Sequence, residues 1–221
     1  MAWLSSIETN TEALYLVGDV FDFWWEYRYT IPKYGTRFLG KIAQMTDSGI
    51  PVYVFTGNHD VWLGSYLEQE LGVKVIREPI EQTLGGKRFY IGHGDGLGPG
   101  DYSYKFIKKL FVNPFLQWCF SRLHPNLAFW LATSWSKRSR MHSQESDVYL
   151  GNDREWLYQY CKAQLILDPQ IDFFVFGHRH LPLDVEIECS LARYLNCGDW
   201  FKHCSYVEFD GNDCVLKRYQ P

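Results

Sequence analysis

An α/β fold is what this sequence predicts, on three observations. Short apolar runs recur at strand length, helix-periodic stretches lie between them, and a polar cluster follows each run. The runs at 13–17 (ALYLV), 52–55 (VYVF), 88–91 (RFYI) and 172–176 (DFFVF) are rich in β-branched and aromatic residues. Each is closed by glycine, so four buried strands are expected. The stretch 36–47 carries apolar residues at Phe38, Leu39, Ile42, Ala43 and Met45, with Gly49 as a stop, and predicts a helix. A second helix is expected over 153–167, with Asp153 as N-cap and Trp156, Leu157 and Tyr160 on one face. More polar strands are expected around 194–196, 205–209 and 215–218. In α/β sheets ligands gather at the carboxyl ends of the strands, and all four polar clusters fall there.

Composition narrows the function. With 221 residues, 46% hydrophobic and 22% charged, the chain can bury one core and is not expected to be disordered. A net charge of −4 argues against a uniformly basic nucleic-acid binder. No apolar run reaches the length of a bilayer, and no basic-then-apolar leader opens the chain. The six cysteines form no C-x-x-C pair, so reduced thiols and a cytoplasmic location are expected.

One segment reverses the charge. Residues 101–142 hold seven Lys or Arg (105, 108, 109, 122, 137, 138 and 140) against Asp101 alone, a net +6 that leaves the remainder at −10. The same segment contains ten aromatic residues, and Pro114 and Pro125 divide it into three helical pieces. A basic, aromatic, helical insertion predicts a lid or a surface for an anionic amphiphile. The plainer account is a set of ordinary covering helices with solvated cations.

The strand-end clusters deliver Asp19, Asn58, His93, His178 and His180. Each alone has an ordinary reading as a turn, a cap or a hydrogen-bonded imidazole. Four strand ends supplying only metal-competent side chains is a different matter. His178 and His180, two apart on an extended strand, are expected on one face. Carboxylate, amide oxygen and imidazole suit Mn, Fe or Zn better than Ca or a thiolate zinc finger. A carboxylate that bridges two ions would create a two-metal centre for hydrolysis of a phosphate ester or anhydride.

The motifs Gly18-Asp19-Val20-Phe21-Asp22, Gly57-Asn58-His59-Asp60, Gly92-His93-Gly94-Asp95 and Gly177-His178-Arg179-His180 resemble those of the calcineurin-like metallophosphoesterases. The wider phrases GDVFDFWWEYR, GHGDGLGPGD and LNCGDW resemble the UDP-2,3-diacylglucosamine diphosphatase branch, over nearly the whole chain. That resemblance implies a four-layer α-β-β-α sandwich spanning 1–221, with a helical lid at 101–145. It implies cleavage of UDP-2,3-diacylglucosamine to UMP and 2,3-diacylglucosamine 1-phosphate, with two Mn²⁺ ions as cofactor and Fe or Zn as the other candidates. By the same resemblance Asp19 is the bridging ligand, Asn58, His93 and His178 complete one metal site, and His180 serves the other. Asp22 and Asp95 orient ligands. His59 stands where many of these enzymes touch the scissile phosphate, although some diphosphatase relatives carry Arg there. Asp101, Lys137 and Arg138 hold the uridine-diphosphate sugar, and lid aromatics accompany the acyl chains. The implied partners are a nucleotide-activated glycolipid and the cytoplasmic face of the inner membrane, with no nucleic acid; oligomeric state is left open.

The family opens with a strand ending in Asp-x-His about thirty residues before the bridging Asp. Here 18 residues precede Asp19 and none forms that motif. A start placed downstream of the natural one is the expected explanation. Two other functions stay open: a metallophosphoesterase acting on another nucleotide or phosphodiester, and an inactive truncated fragment or lipid-nucleotide binder with an incomplete dimetal site. Trp24-Trp25 is read as core and lid packing, and Cys197 and Cys204 as free thiols.

Overall fold

A computed structural model describes residues 1–98, 102–143, 148–149 and 151–220. The chain divides into two compact units, residues 1–77 with 103–142, and residues 78–102 with 143–220.

The first unit is built on a three-stranded parallel sheet of β1 (Leu14–Leu16), β2 (Val52–Phe55) and β3 (Lys74–Ile76), in that order. Leu14 pairs with Val52 and Leu16 with Val54, so both strands end on the same side. Helix α1 (Ala2–Ile7) precedes β1, and α2 (Thr36–Asp47) and α3 (Tyr66–Leu71) follow β1 and β2. The core holds Leu4, Leu14, Trp24, Ile42, Met45, Val52, Val54 and Leu67. Helix α2 has the predicted bounds, because its apolar positions recur at helical spacing and lie on the buried face.

Three further helices belong mainly to this unit: α4 (Tyr102–Phe111), α5 (Pro114–Phe120) and α6 (Pro125–Ser143). The two prolines divide them as expected. Pro114 is the first helical residue, where its missing N–H costs nothing. Asn113 caps α5 by accepting the N–H groups of Phe115 and Leu116 at 3.0 and 3.2 Å. At α6 the capping side chain is His124, whose Nδ1 accepts the Asn126 N–H at 3.3 Å.

These helices are seated by aromatic rings. Phe120 lies 5.0 Å from Trp25 and 4.8 Å from Trp62, and Phe129 lies 5.4 Å from Phe23. Trp62 Nε1 donates to the Phe111 carbonyl at 2.7 Å, and the Tyr27 hydroxyl to that of Leu123 at 3.1 Å. Trp24 is fully buried in the core while Trp25 meets the helical segment, so both roles expected of the pair are filled.

The second unit carries a five-stranded mixed sheet, ordered β4 (Ile80–Leu84), β5 (Lys87–Ile91), β6 (Phe173–Phe176), β8 (Arg193–Cys197) and β7 (Pro182–Glu186). The ribbon β9 (Ser205–Phe209) and β10 (Cys214–Arg218) is antiparallel. Strands β5 and β6 are parallel neighbours, Ile91 opposite Val175. Helix α7 (Trp156–Leu167) contributes Leu157, Tyr158 and Cys161 to a core with Phe174, Phe176 and Tyr194.

Helix α7 starts three residues later than the sequence predicts, and Glu155 rather than Asp153 is its N-cap. The Gly151 carbonyl accepts the N–H groups of Arg154 and Glu155 at 3.1 Å, which places Asp153 inside a separate turn. Burial pushes the thiols of Cys197 and Cys214 up to about 12, and both are free. Among the described residues no helix is long and apolar enough to cross a membrane.

Candidate metal and phosphate site

In the first unit the parallel pairing of β1 and β2 brings their two carboxyl-end loops together. Asp60, fully buried, ties them. Its Oδ1 accepts the Gly57 N–H at 2.7 Å, and its Oδ2 accepts those of Val20 and Phe21 at 2.8 and 3.2 Å. Asp19 in turn accepts the His59 N–H on Oδ1 at 2.8 Å. Asp19 has φ 50°, a left-handed conformation that a non-glycine residue adopts at a cost. The loops therefore place Asp19, Asn58 and His59 in one cluster.

Gly57 is demanded by this closeness. A Cβ there would lie 2.2 Å from Asp19 Oδ1 and 2.5 Å from Asp19 N. Gly57→Ala is expected to displace the Asp19 loop and lower stability by about 2–4 kcal/mol, on the scale of overpacking with broken buried hydrogen bonds. Chemical denaturation checks this, and an unchanged midpoint would contradict the close approach.

Tyr34 reports on the carboxylates of the same loops. The Tyr34 phenol is pushed up to about 12, first by burial and then by the charges of Asp22 and Asp60. Asp22 itself is exposed.

In the second unit β5 and β6 bring two further loops together. The Gly177 N–H donates to the His93 carbonyl at 3.0 Å, and Asn196 Nδ2 donates to the Gly177 carbonyl at 2.5 Å. His93 and Asp95 are buried. His178 Nδ1 lies 3.3 Å from His93 Nε2. Nitrogens bound at about 2.0–2.1 Å to one ion stand roughly 2.8–3.0 Å apart at octahedral angles and roughly 3.3–3.4 Å apart at tetrahedral ones. The imidazole pair thus fits a shared divalent ion.

His178 and His180 lie beyond the end of β6, with φ of 65° and 53°. The strand alternation expected to put them on one face does not apply, because the chain leaves the extended conformation at Gly177. The Arg179 N–H turns back to the Gly177 carbonyl at 2.7 Å. Arg179 Nε then meets both oxygens of buried Glu155 at 3.2 Å, which fixes the loop against the start of α7.

Lys137 and Arg138 are exposed on α6, and Asp101 lies outside the described residues. Phe106, Phe115, Trp118, Trp130 and Trp135 on α4–α6 are each more than half exposed. Lys109 and Arg122 are exposed on the same helices. Exposed aromatic rings and cations thus share these helices.

Two contributors escaped sequence reasoning. Asp60 stands in a quoted motif, but nothing in the sequence says that its acceptors serve residues forty positions away. Asn196 sits in the LNCGDW phrase, whose only signal is a polar side chain within an apolar strand.

The fold and these loops define a class, and comparison agrees. The model of the calcineurin-like phosphoesterase family matches residues 1–182, and the chain belongs to that family. It is thus a hydrolase of the phosphoesterase type, with the family's mixed α/β fold and the divalent-metal binding the family implies. Within the family it is similar to the UDP-2,3-diacylglucosamine hydrolase of Porphyromonas gingivalis, 38% identical over 98% of this chain and 87% of that protein. It is also similar to those of Edwardsiella ictaluri (28% identical, 98% and 83% covered) and Vibrio vulnificus (28%, 95% and 85%).

Proposed function

We propose that this chain hydrolyses the diphosphate of UDP-2,3-diacylglucosamine, a step of lipid A synthesis. Water adds across the P–O–P linkage to release UMP and 2,3-diacylglucosamine 1-phosphate. The near full-length similarity to the P. gingivalis hydrolase carries this reading. The exposed aromatic and basic helices support it, since a lipid-bearing, anionic substrate needs both kinds of contact.

In this reading Asp19, Asn58, His93 and His178 are ligands of one divalent ion, and His180 of a second, with Mn²⁺ as the working metal. The donor set is of the right chemistry, and the 3.3 Å imidazole pair supports it. Bound metal supplies Lewis-acid polarisation of the phosphate and a nucleophile available at neutral pH. The protein's own groups do the rest. The His59 imidazole faces the scissile phosphate and stabilises the leaving group. Asp22 and Asp95 orient ligands, and Lys137, Arg138 and Asp101 hold the nucleotide-sugar. Helices within 101–145 form the lid of one metallophosphoesterase domain spanning 1–221. The protein docks peripherally on the cytoplasmic face of the inner membrane through this segment.

The test is UMP release from UDP-2,3-diacylglucosamine in detergent with added Mn²⁺. Release that EDTA stops and Mn²⁺ restores is the expected result. Turnover of a generic aryl phosphodiester with no UMP release would replace this substrate with another phosphodiester.

A further inference from the structure

Helix α6 is solvent-exposed through the stretch 134–138 at every position but one. Ser134, Trp135, Lys137 and Arg138 are exposed, whereas Ser136 is 4% exposed. A serine in a helix ordinarily returns its hydroxyl to a carbonyl one turn back. Thr133 on the same helix does so, donating to the Phe129 carbonyl at 2.6 Å, as does Ser121 at the end of α5, to that of Trp118 at 2.6 Å. Ser136 instead places Oγ 2.9 Å from His59 Nδ1. His59 is therefore held at two points, by Asp19 through its main chain and by Ser136 through its ring.

We propose that Ser136 is a positioning residue for the reaction, through which the helical insertion orients the His59 ring. This rests on the reading of His59 as the group that faces the phosphate. A hydroxyl both donates and accepts, so Ser136 can engage Nδ1 in either tautomer of the ring. Nδ1 is thereby occupied and Nε2 is the nitrogen left for the phosphate. A side chain with two rotatable bonds otherwise samples several orientations, and fixing one is worth one to two orders of magnitude when a supporting hydrogen bond is lost. The insertion thus contributes to the chemical step as well as to substrate binding. The aromatic seat formed by Phe23, Trp25, Trp62, Phe120 and Phe129 holds α6 in the place this requires.

The experiment compares Ser136→Ala, His59→Ala and the double variant. In the single Ser136 variant kcat is expected to fall about tenfold with KM within about twofold. In the His59→Ala background Ser136→Ala is expected to have no further effect. Nitrogen-15 spectra of the histidine rings, taken with diamagnetic Mg²⁺, should show the His59 Nδ1 resonance displaced in Ser136→Ala. An unchanged kcat, an equal fall in both backgrounds, or an unmoved Nδ1 resonance would each overturn the proposal. If the wild-type chain releases no UMP, the substrate reading fails separately. The spectra and turnover of bis(p-nitrophenyl) phosphate then decide the role of Ser136.

Discussion

Asp60→Ala is expected to lower the stability of the chain by about 3–6 kcal/mol and to abolish turnover. The Asp60 carboxylate is fully buried and accepts three main-chain N–H groups, from Gly57, Val20 and Phe21. Alanine removes both acceptor oxygens, and with them all three hydrogen bonds, at once. Two of these bonds are buried and the Val20 bond is part-buried; a buried donor left without a partner costs about 1–3 kcal/mol, so the sum is a large share of the about 5–15 kcal/mol that holds a typical domain folded. Asp60→Asn retains the shape but keeps one acceptor oxygen and turns an amide NH₂ toward donors. It should fall between wild type and alanine. Urea unfolding reads both effects in the midpoint with the slope unchanged. A midpoint shift below that of an ordinary surface substitution would show that the two loops are held by something other than Asp60.

His178→Ala is expected to act on chemistry and leave stability nearly alone. His178 is half-buried in a loop, 3.3 Å from His93, so its removal opens no core cavity. A change within about 1 kcal/mol is expected in denaturation. If His178 is the ligand proposed above, its loss weakens metal activation of the phosphate, which is worth several kcal/mol of barrier, or about a thousandfold in kcat. UMP release and metal content of the purified variant measure this together. Full turnover with unchanged metal would remove His178 from the site. The contrast between the two variants is informative: Asp60 shapes the loop and His178, in the proposed reading, binds the metal, although both lie in strand-end clusters.

Much of this architecture is legible in the chain. The buried strands β2 and β6 have strand-length runs of β-branched and aromatic residues closed by glycine, and the 36–47 helix has its bounds in its own periodicity. The elements that were missed are edges or short pieces. β4 and β7 are the two outer strands of their sheet and expose alternate residues, and β7 opens with Pro182, which an edge tolerates. β3 has only three residues, too few for a period. The divided helical insertion was legible because proline forbids continuation of a helix.

What the sequence by itself determined is the chemistry available: an aspartate, an asparagine and three histidines, each placed after a strand by local hydrophobic pattern and glycine. These choices depend on neighbours a few residues away, so local rules recover them. Only the tertiary structure decided how those groups are held. Parallel pairing puts β1 beside β2 and β5 beside β6, so loops distant in sequence share one end of a sheet. Asp60 then bonds N–H groups forty residues away, and Ser136 turns inward from an exposed helix to reach His59 across 77 residues. Such contacts arise from burial and from the need to pair every buried polar group. Neither leaves a periodic trace in the chain.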